Sequence, residues 1–102
     1  MAIFDGTVKP GLEGAMRRYV NDELAPLWRQ FTGAIDVKVM FGVDQDPDGP
    51  TIPCILQITY PDRAAMAQAL DSPARYKSRD MLPGFYERFF DGVKLYHYVM
   101  EV

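Results

Sequence analysis

The spacing of apolar residues changes period along this chain in a fixed order, and that order limits the folds open to it. Residues 2–8 are short and mixed and stop at Lys9-Pro10-Gly11, which reads as a strand followed by a turn. Leu12, Met16, Tyr19, Val20, Leu24, Leu27 and Phe31 then recur at helical spacing. Arg17, Arg18, Asn21, Asp22 and Arg29 fall between them, so the segment predicts an amphipathic helix. Pro26 has no N–H and crowds the carbonyl of Asp22, so a kink is expected there, with Gly33 closing the helix. Ile35, Val37, Val39, Phe41 and Val43 alternate with Asp36, Lys38, Met40 and Gly42, the pattern of a strand with one strongly apolar face. Residues 44–50 are hydrophilic and rich in Asp, Pro and Gly, hence a loop or hairpin connection.

Thr51 to Tyr60 predicts a third strand. Pro61-Asp62 opens a second helix, with Asp62 as its N-cap and Ala65, Met66, Ala69 and Leu70 on its buried side. Asp71-Ser72-Pro73 restarts that helix in a new direction, Ser72 capping and Pro73 in the first turn. Leu82-Pro83-Gly84 is expected to break it again. Phe85 to Phe90 then forms a short helical or irregular piece closed by Asp91-Gly92, and Val93 to Val102 is the last strand. The order is β-α-β-β-α-β. It implies one α+β domain over residues 1–102: a ferredoxin-like four-stranded antiparallel sheet with its helices on one face. The other face is left bare, and a homodimer is the expected way to cover it.

Composition removes several classes of function. Net charge is −3 with no basic run, which argues against a nucleic-acid surface. No apolar stretch approaches the ~20 residues of a membrane span, and Met1 to Asp5 lacks the features of a signal peptide, so a cytoplasmic protein is expected. Cys54 is the single cysteine and His97 the single histidine, so neither an internal disulfide nor a zinc site is expected. The acidic run from Asp44 to Asp48 lacks the spaced ligands and closing glutamate of a calcium loop. No Gly-rich loop follows a strand, so no nucleotide or flavin cofactor is implied. Six Tyr, six Phe, six Met and one Trp are many large side chains for 102 residues, and some of that surface should meet a partner or an aromatic ligand.

Three stretches carry a family resemblance. Tyr19 to Leu27 is similar to the first-helix pattern of EthD-like proteins, in which a His commonly precedes x-Pro-Leu. Ser72-Pro73-Ala74-Arg75 resembles the small-Pro-x-His turn of stress-responsive barrel proteins and of plant polyketide cyclases. Phe89-Phe90-Asp91-Gly92, with a strand ending in Glu101-Val102, resembles the C-terminal pattern of EthD-like and RedY-like proteins. The resemblance implies a dimeric α/β barrel. It also implies a role in secondary metabolism, such as the biosynthesis of antibiotics or of prodiginine-type pigments. Leu24 stands where EthD-like proteins often carry His, Arg75 where the cyclase turn carries its catalytic His, and Ala69 where that His has a Tyr partner. The cyclase acid–base pair therefore does not carry over.

Strand alternation places His97 with Val93, Leu95 and Val99 on the helix-facing side, near Cys54. The relatives' polar pocket residue at this position points the same way. An imidazole there could move a proton, or could be a buried histidine satisfied by one hydrogen bond. Arg75 and Arg79 lie four apart behind Pro73, where two guanidinium groups and free backbone N–H groups suit a carboxylate or phenolate; a solvated basic face, paired with Asp71 or Asp80, is the plainer reading. Tyr19, Trp28, Tyr76 and Phe4 are candidate aromatic walls, though such residues are more often plain core. Cys54 is expected as a small buried residue lining the space rather than a nucleophile. Tyr96, Tyr98 and Lys38 fall on the opposite face, the expected dimer interface.

These readings predict a cofactor-independent enzyme with His97 and Arg75 as its catalytic residues. It would cyclise, isomerise or oxygenate an aromatic, polyketide, pyrrole or indole intermediate between sheet and helices. The alternative is a non-catalytic carrier of such an intermediate. A haem site would have His97 as its only imidazole ligand, in mid-strand on a crowded face, which argues against it.

Overall fold

The computed structural model describes residues 1–102. Strands β1 (Ala2–Val8), β2 (Asp36–Phe41), β3 (Cys54–Thr59) and β4 (Phe90–His97) form one sheet in the order β2-β3-β1-β4, every pair antiparallel. Helices α1 (Glu13–Tyr19), α2 (Ala25–Trp28), α3 (Arg63–Leu70) and α4 (Pro73–Phe89) make the second layer. This is the ferredoxin-like α+β arrangement that the order of periods implies.

Register fixes which side chains share a face. Phe41, Cys54, Phe4 and Leu95 form one row across all four strands on the helix side, and Val39, Leu56, Ala2 and His97 form the next. Met16, Val20, Leu24, Ala25 and Trp28 press onto these rows from the first helical run, and Ala74, Phe85 and Phe89 from α4. Phe85 is the hub of the aromatic packing: it stacks on Tyr19 at 5.5 Å and meets Phe4 and Phe90 edge-on at 6.1 and 5.2 Å. Such pairs add about 0.5–1.5 kcal/mol each beyond the area they bury.

Two prolines act differently from the sequence expectation. Pro26 does not simply kink its helix. The turn just before it, Val20–Leu24, widens to π-helical geometry, with the Ala25 N–H bonding to the Val20 carbonyl, and α2 continues from it to Trp28. The wider turn accommodates a ring that would collide with the Asp22 carbonyl in an α-helix. Gly33, at φ +79°, turns the chain after the helix has already ended. Pro83 does not break α4, which runs unbroken from Pro73 to Phe89. Pro83 is exposed, whereas Phe85 and Phe89 on the same helix are buried, and their packing outweighs one missing backbone bond.

The caps follow the sequence in position. Asp62 Oδ1 accepts from the Ala65 N–H at 2.8 Å. Ser72 sits at the N-cap of α4, but its hydroxyl donates back to the Ala69 carbonyl at 2.7 Å and so ties α4 to α3 instead of capping. β4 starts directly after α4 at Phe90 and ends at His97, earlier at both ends than expected, and β3 is confined to Cys54–Thr59. Asp91 and Gly92 make a bulge opposite Thr7, with Gly92 at φ +92°. Gly6 lies beneath that bulge, where a Cβ would fall 2.3 Å from the Gly92 carbonyl oxygen, so only glycine fits.

Candidate functional site

Antiparallel winding puts the C-terminal end of β4 beside the N-terminal end of α4. That brings His97 and Arg75 to the same end of the molecule. His97 faces the helix side, as alternation requires, but it is the last residue of its strand and is exposed rather than roofed over. It is not on a strand neighbouring that of Cys54: β1 lies between β4 and β3, and His97 is opposite Ala2 while Cys54 is opposite Phe4. The His97 imidazole is pushed below its ordinary pKa, first by partial burial, then by the N-terminal ammonium group and by Arg75. That ammonium is fixed by donating to the Tyr98 carbonyl at 2.7 Å, while the Tyr98 N–H donates to the Met1 carbonyl at 2.8 Å. The result is a neutral imidazole in an electropositive setting.

Arg75 is half-buried and in none of the ion pairs. Its guanidinium lies 5.7 Å from the Tyr76 ring centre, and that of Arg79 lies 5.1 Å from the same ring. Tyr76 donates its hydroxyl to Asp71, a bond that holds its phenol up from the ordinary pKa. The expected pair of arginines on one helix is therefore organised around a tyrosine, with the charge of Arg75 left unneutralised. Arg79 approaches only the exposed Asp80, at 4.0 Å.

The other expected site residues are elsewhere. Phe4, Trp28 and Cys54 lie in the solid interior, Phe4 and Trp28 with ring centres 6.4 Å apart. Burial pushes the Cys54 thiol up to about 12, so it is a thiol and not a thiolate at neutral pH. Tyr19 is toward the opposite end, lining a groove of about 290 Å³ with Arg18, Asp22, Glu23 and Arg88. The structure thus gathers His97, Arg75, Tyr76 and Arg79 at one end, and separates them from Tyr19 and from the buried set.

The N-terminal ammonium was missed in the sequence, because it is at the far end of the chain from His97. The pairing of β1 with β4 was the signal available for it, because it brings Met1 against Tyr98. Of the two acids expected to pair with the arginine face, Asp80 approaches Arg79, whereas Asp71 accepts from the Tyr76 hydroxyl instead of meeting an arginine.

Comparison with solved structures places the fold among known ones. An EthD family protein from Bacillus halodurans C-125 superposes with a TM-score of 0.65 at 18% identity, over 96% of this chain and 97% of that one. An antibiotic biosynthesis monooxygenase-like protein from Bacteroides thetaiotaomicron gives 0.52 at 17% identity, over 99% and 88%. PA3566 from Pseudomonas aeruginosa gives 0.51 at 20% identity, over 98% and 92%. No family model and no curated protein matches the chain. At these identities the likeness is one of architecture: the chain has the ferredoxin-like fold of EthD and antibiotic-biosynthesis-monooxygenase proteins.

Proposed function

We propose that this protein is a cofactor-independent enzyme of secondary metabolism that acts on a planar, electron-rich aromatic intermediate. The substrate would be a polyketide, pyrrole or indole bearing an acidic hydroxyl or carboxylate, and the RedY-like proteins would be its functional kin. One observation carries the reading: His97 and the unneutralised guanidinium of Arg75 lie at the same end of the molecule, close enough for the Arg75 charge to help hold the imidazole below its ordinary pKa. Kept free of its proton, His97 can accept one from the substrate at neutral pH. Arg75 would hold the oxygen on which negative charge then develops. Tyr76, with a second guanidinium over its ring, offers a flat surface at the same place. The fold shared with an EthD family protein and an antibiotic biosynthesis monooxygenase-like protein is compatible with this reading, which rests on the residues of the site and not on the fold.

We also propose a homodimer joined through the open face of the sheet. Met40, Ile55, Ile3 and Tyr96 form a row across that face, and no helix covers them.

Turnover of the native intermediate is the test. His97→Ala should cut kcat by about a hundredfold or more, the range of a lost general base. Arg75→Ala should cut kcat/KM at least as much as binding. If both variants form product as the parent does, the proton-transfer assignment fails. If the parent binds the intermediate without converting it, the protein is a carrier.

A further inference from the structure

α3 is held lightly. Of its eight residues only Ala69 is buried, whereas α4 buries Ala74, Ser78, Phe85 and Phe89. Ala64, Ala67 and Leu70 face solvent, Leu70 at 44%. Its hydrogen bonds to other residues reach only its own flanks, at Asp62, Asp71 and Ser72. Beyond those flanks its one polar tie is the pair of Arg63 with Glu101, 3.8 Å apart, between side chains 79% and 81% exposed. A long ion pair in water holds weakly.

The place of α3 gives this looseness a use. It follows β3 and precedes α4, so both its ends lie at the His97 end of the sheet. Eight residues of helix span about 12 Å, and β3 and β4 stand about 10 Å apart across β1. These lengths match a helix laid across that end. β1 begins at Ala2, opposite Leu56 and His97, so the next helix-side row holds the paired Val37 and Ile58 and no residue of β1. Val37 and Ile58 are half-buried, and a notch follows them where β1 has run out, beside His97. The chain after β4 runs back across the same end, which is how Glu101 meets Arg63.

We infer that α3 is a lid on this end, hinged at Asp71-Ser72 and latched through Arg63 and Glu101, and that a small aromatic ligand enters the notch beneath it. Ser72 is buried and donates to the Ala69 carbonyl, and Tyr76 donates to Asp71. The C-terminal end of α3 therefore stays on α4 while its N-terminal end lifts. Closure brings the half-buried Ala65 and Met66 back onto the layer and shuts water from the ligand. The nature of the ligand rests on the function proposed above; the motion does not.

Hydrogen exchange of the full-length protein tests the lid. Amides of Met66 to Leu70 should exchange about tenfold or more faster than those of Phe85 to Phe89. Arg63→Glu sets like charges at the latch and should speed α3 exchange about two- to fivefold while leaving α4 unchanged. Adding Glu101→Lys should reverse that increase. A Cβ at Gly33 would lie 3.4 Å from that of Ala65, near the separation a disulfide needs. Gly33→Cys with Ala65→Cys should therefore slow α3 exchange when oxidised and release it when reduced. If that pair does not fold, because Gly33 has φ +79°, the charge reversal and its rescue carry the test. Exchange in α3 as slow as at Phe85 to Phe89 overturns the inference. So does an Arg63→Glu protein that exchanges as the parent does, or a folded disulfide variant that oxidation leaves unchanged. None of these measurements uses turnover, so the lid can fail while catalysis by His97 stands, and the catalytic assignment can fail while the lid stands.

Discussion

His97 is mostly unprotonated at neutrality, as an ordinary imidazole is, and its surroundings push it further that way. Partial burial, the ammonium held on Tyr98 and the Arg75 guanidinium all oppose a positive charge on the ring. The folded chain therefore takes up this proton at lower pH than the unfolded chain, whose histidine titrates near ~6.5. Above that value His97 adds no pH dependence. As pH falls below it the unfolded state gains a proton that the folded state refuses, so stability declines until the lower folded midpoint is passed. An NMR titration of the imidazole should give a midpoint below the ordinary value, and Arg75→Ala should move it back up. A midpoint above neutrality would remove the neutral base from the proposed mechanism. The face His97 occupies was legible from alternation alone. Its exposure was not, because alternation is blind to where a strand stops and β4 stops at His97 itself. Cys54 shows the same limit: its burial could be read from its neighbours, but its distance from His97 depended on β1 lying between their strands.

At the scale of elements, the first helical run and α4 each contain a proline and resolve it differently. Pro26 follows a buried stretch, Val20, Leu24 and Ala25, and the chain keeps all three buried by widening one turn ahead of it. Pro83 lies on an exposed side, so α4 simply forgoes one hydrogen bond. That difference gives α4 a removable weakness. Pro83→Ala restores the N–H and should stabilise the protein by about 2 kcal/mol, the interior-helix cost of proline less the entropy that proline removes from the unfolded chain. Chemical denaturation would measure it. A loss of stability would mean that the local shape at Pro83 is needed to seat Phe85 and Phe89. The sequence marked Pro26 as a kink and Pro83 as a break because propensity is local, whereas the decision belonged to packing that only the folded chain reveals. Element order, by contrast, was fully legible. Period-2 and period-3.6 patterns do not imitate each other over the lengths found here, and Asp62 and Ser72-Pro73 mark helix starts by short-range chemistry.

For the whole molecule, the decisive asymmetry is between the two faces of the sheet. The helix side buries Phe4, Cys54 and Leu56 almost completely. The open side carries a band, Met40-Ile55-Ile3-Tyr96, in which Met40 and Tyr96 remain 40% and 41% exposed. Charged and polar residues flank it: Lys38 and Gln57 form a pair on one side, Asp5 and Lys94 on the other. An apolar centre with a polar surround is how a protein–protein interface is built, and a two-fold axis through such a band sets each row against its own copy. The proposed pairing should therefore appear in sedimentation equilibrium as a species of twice the 11.6 kDa chain mass. Ile55→Lys places a charge at the middle of the band without touching the helix-side core, so it should give a folded monomer, with unchanged far-ultraviolet circular dichroism. Cys54, on the other face and next in sequence, provides the contrast: Cys54→Lys should damage the fold itself, because that position is 1% exposed. A parent protein that sediments as a monomer at high micromolar concentration would refute the pairing. An Ile55→Lys protein that stays dimeric would move the interface to another surface. Should both expectations hold, the residues that cover the open face come from a second copy, and the end of the sheet bearing His97 and Arg75 occurs twice in each functional particle.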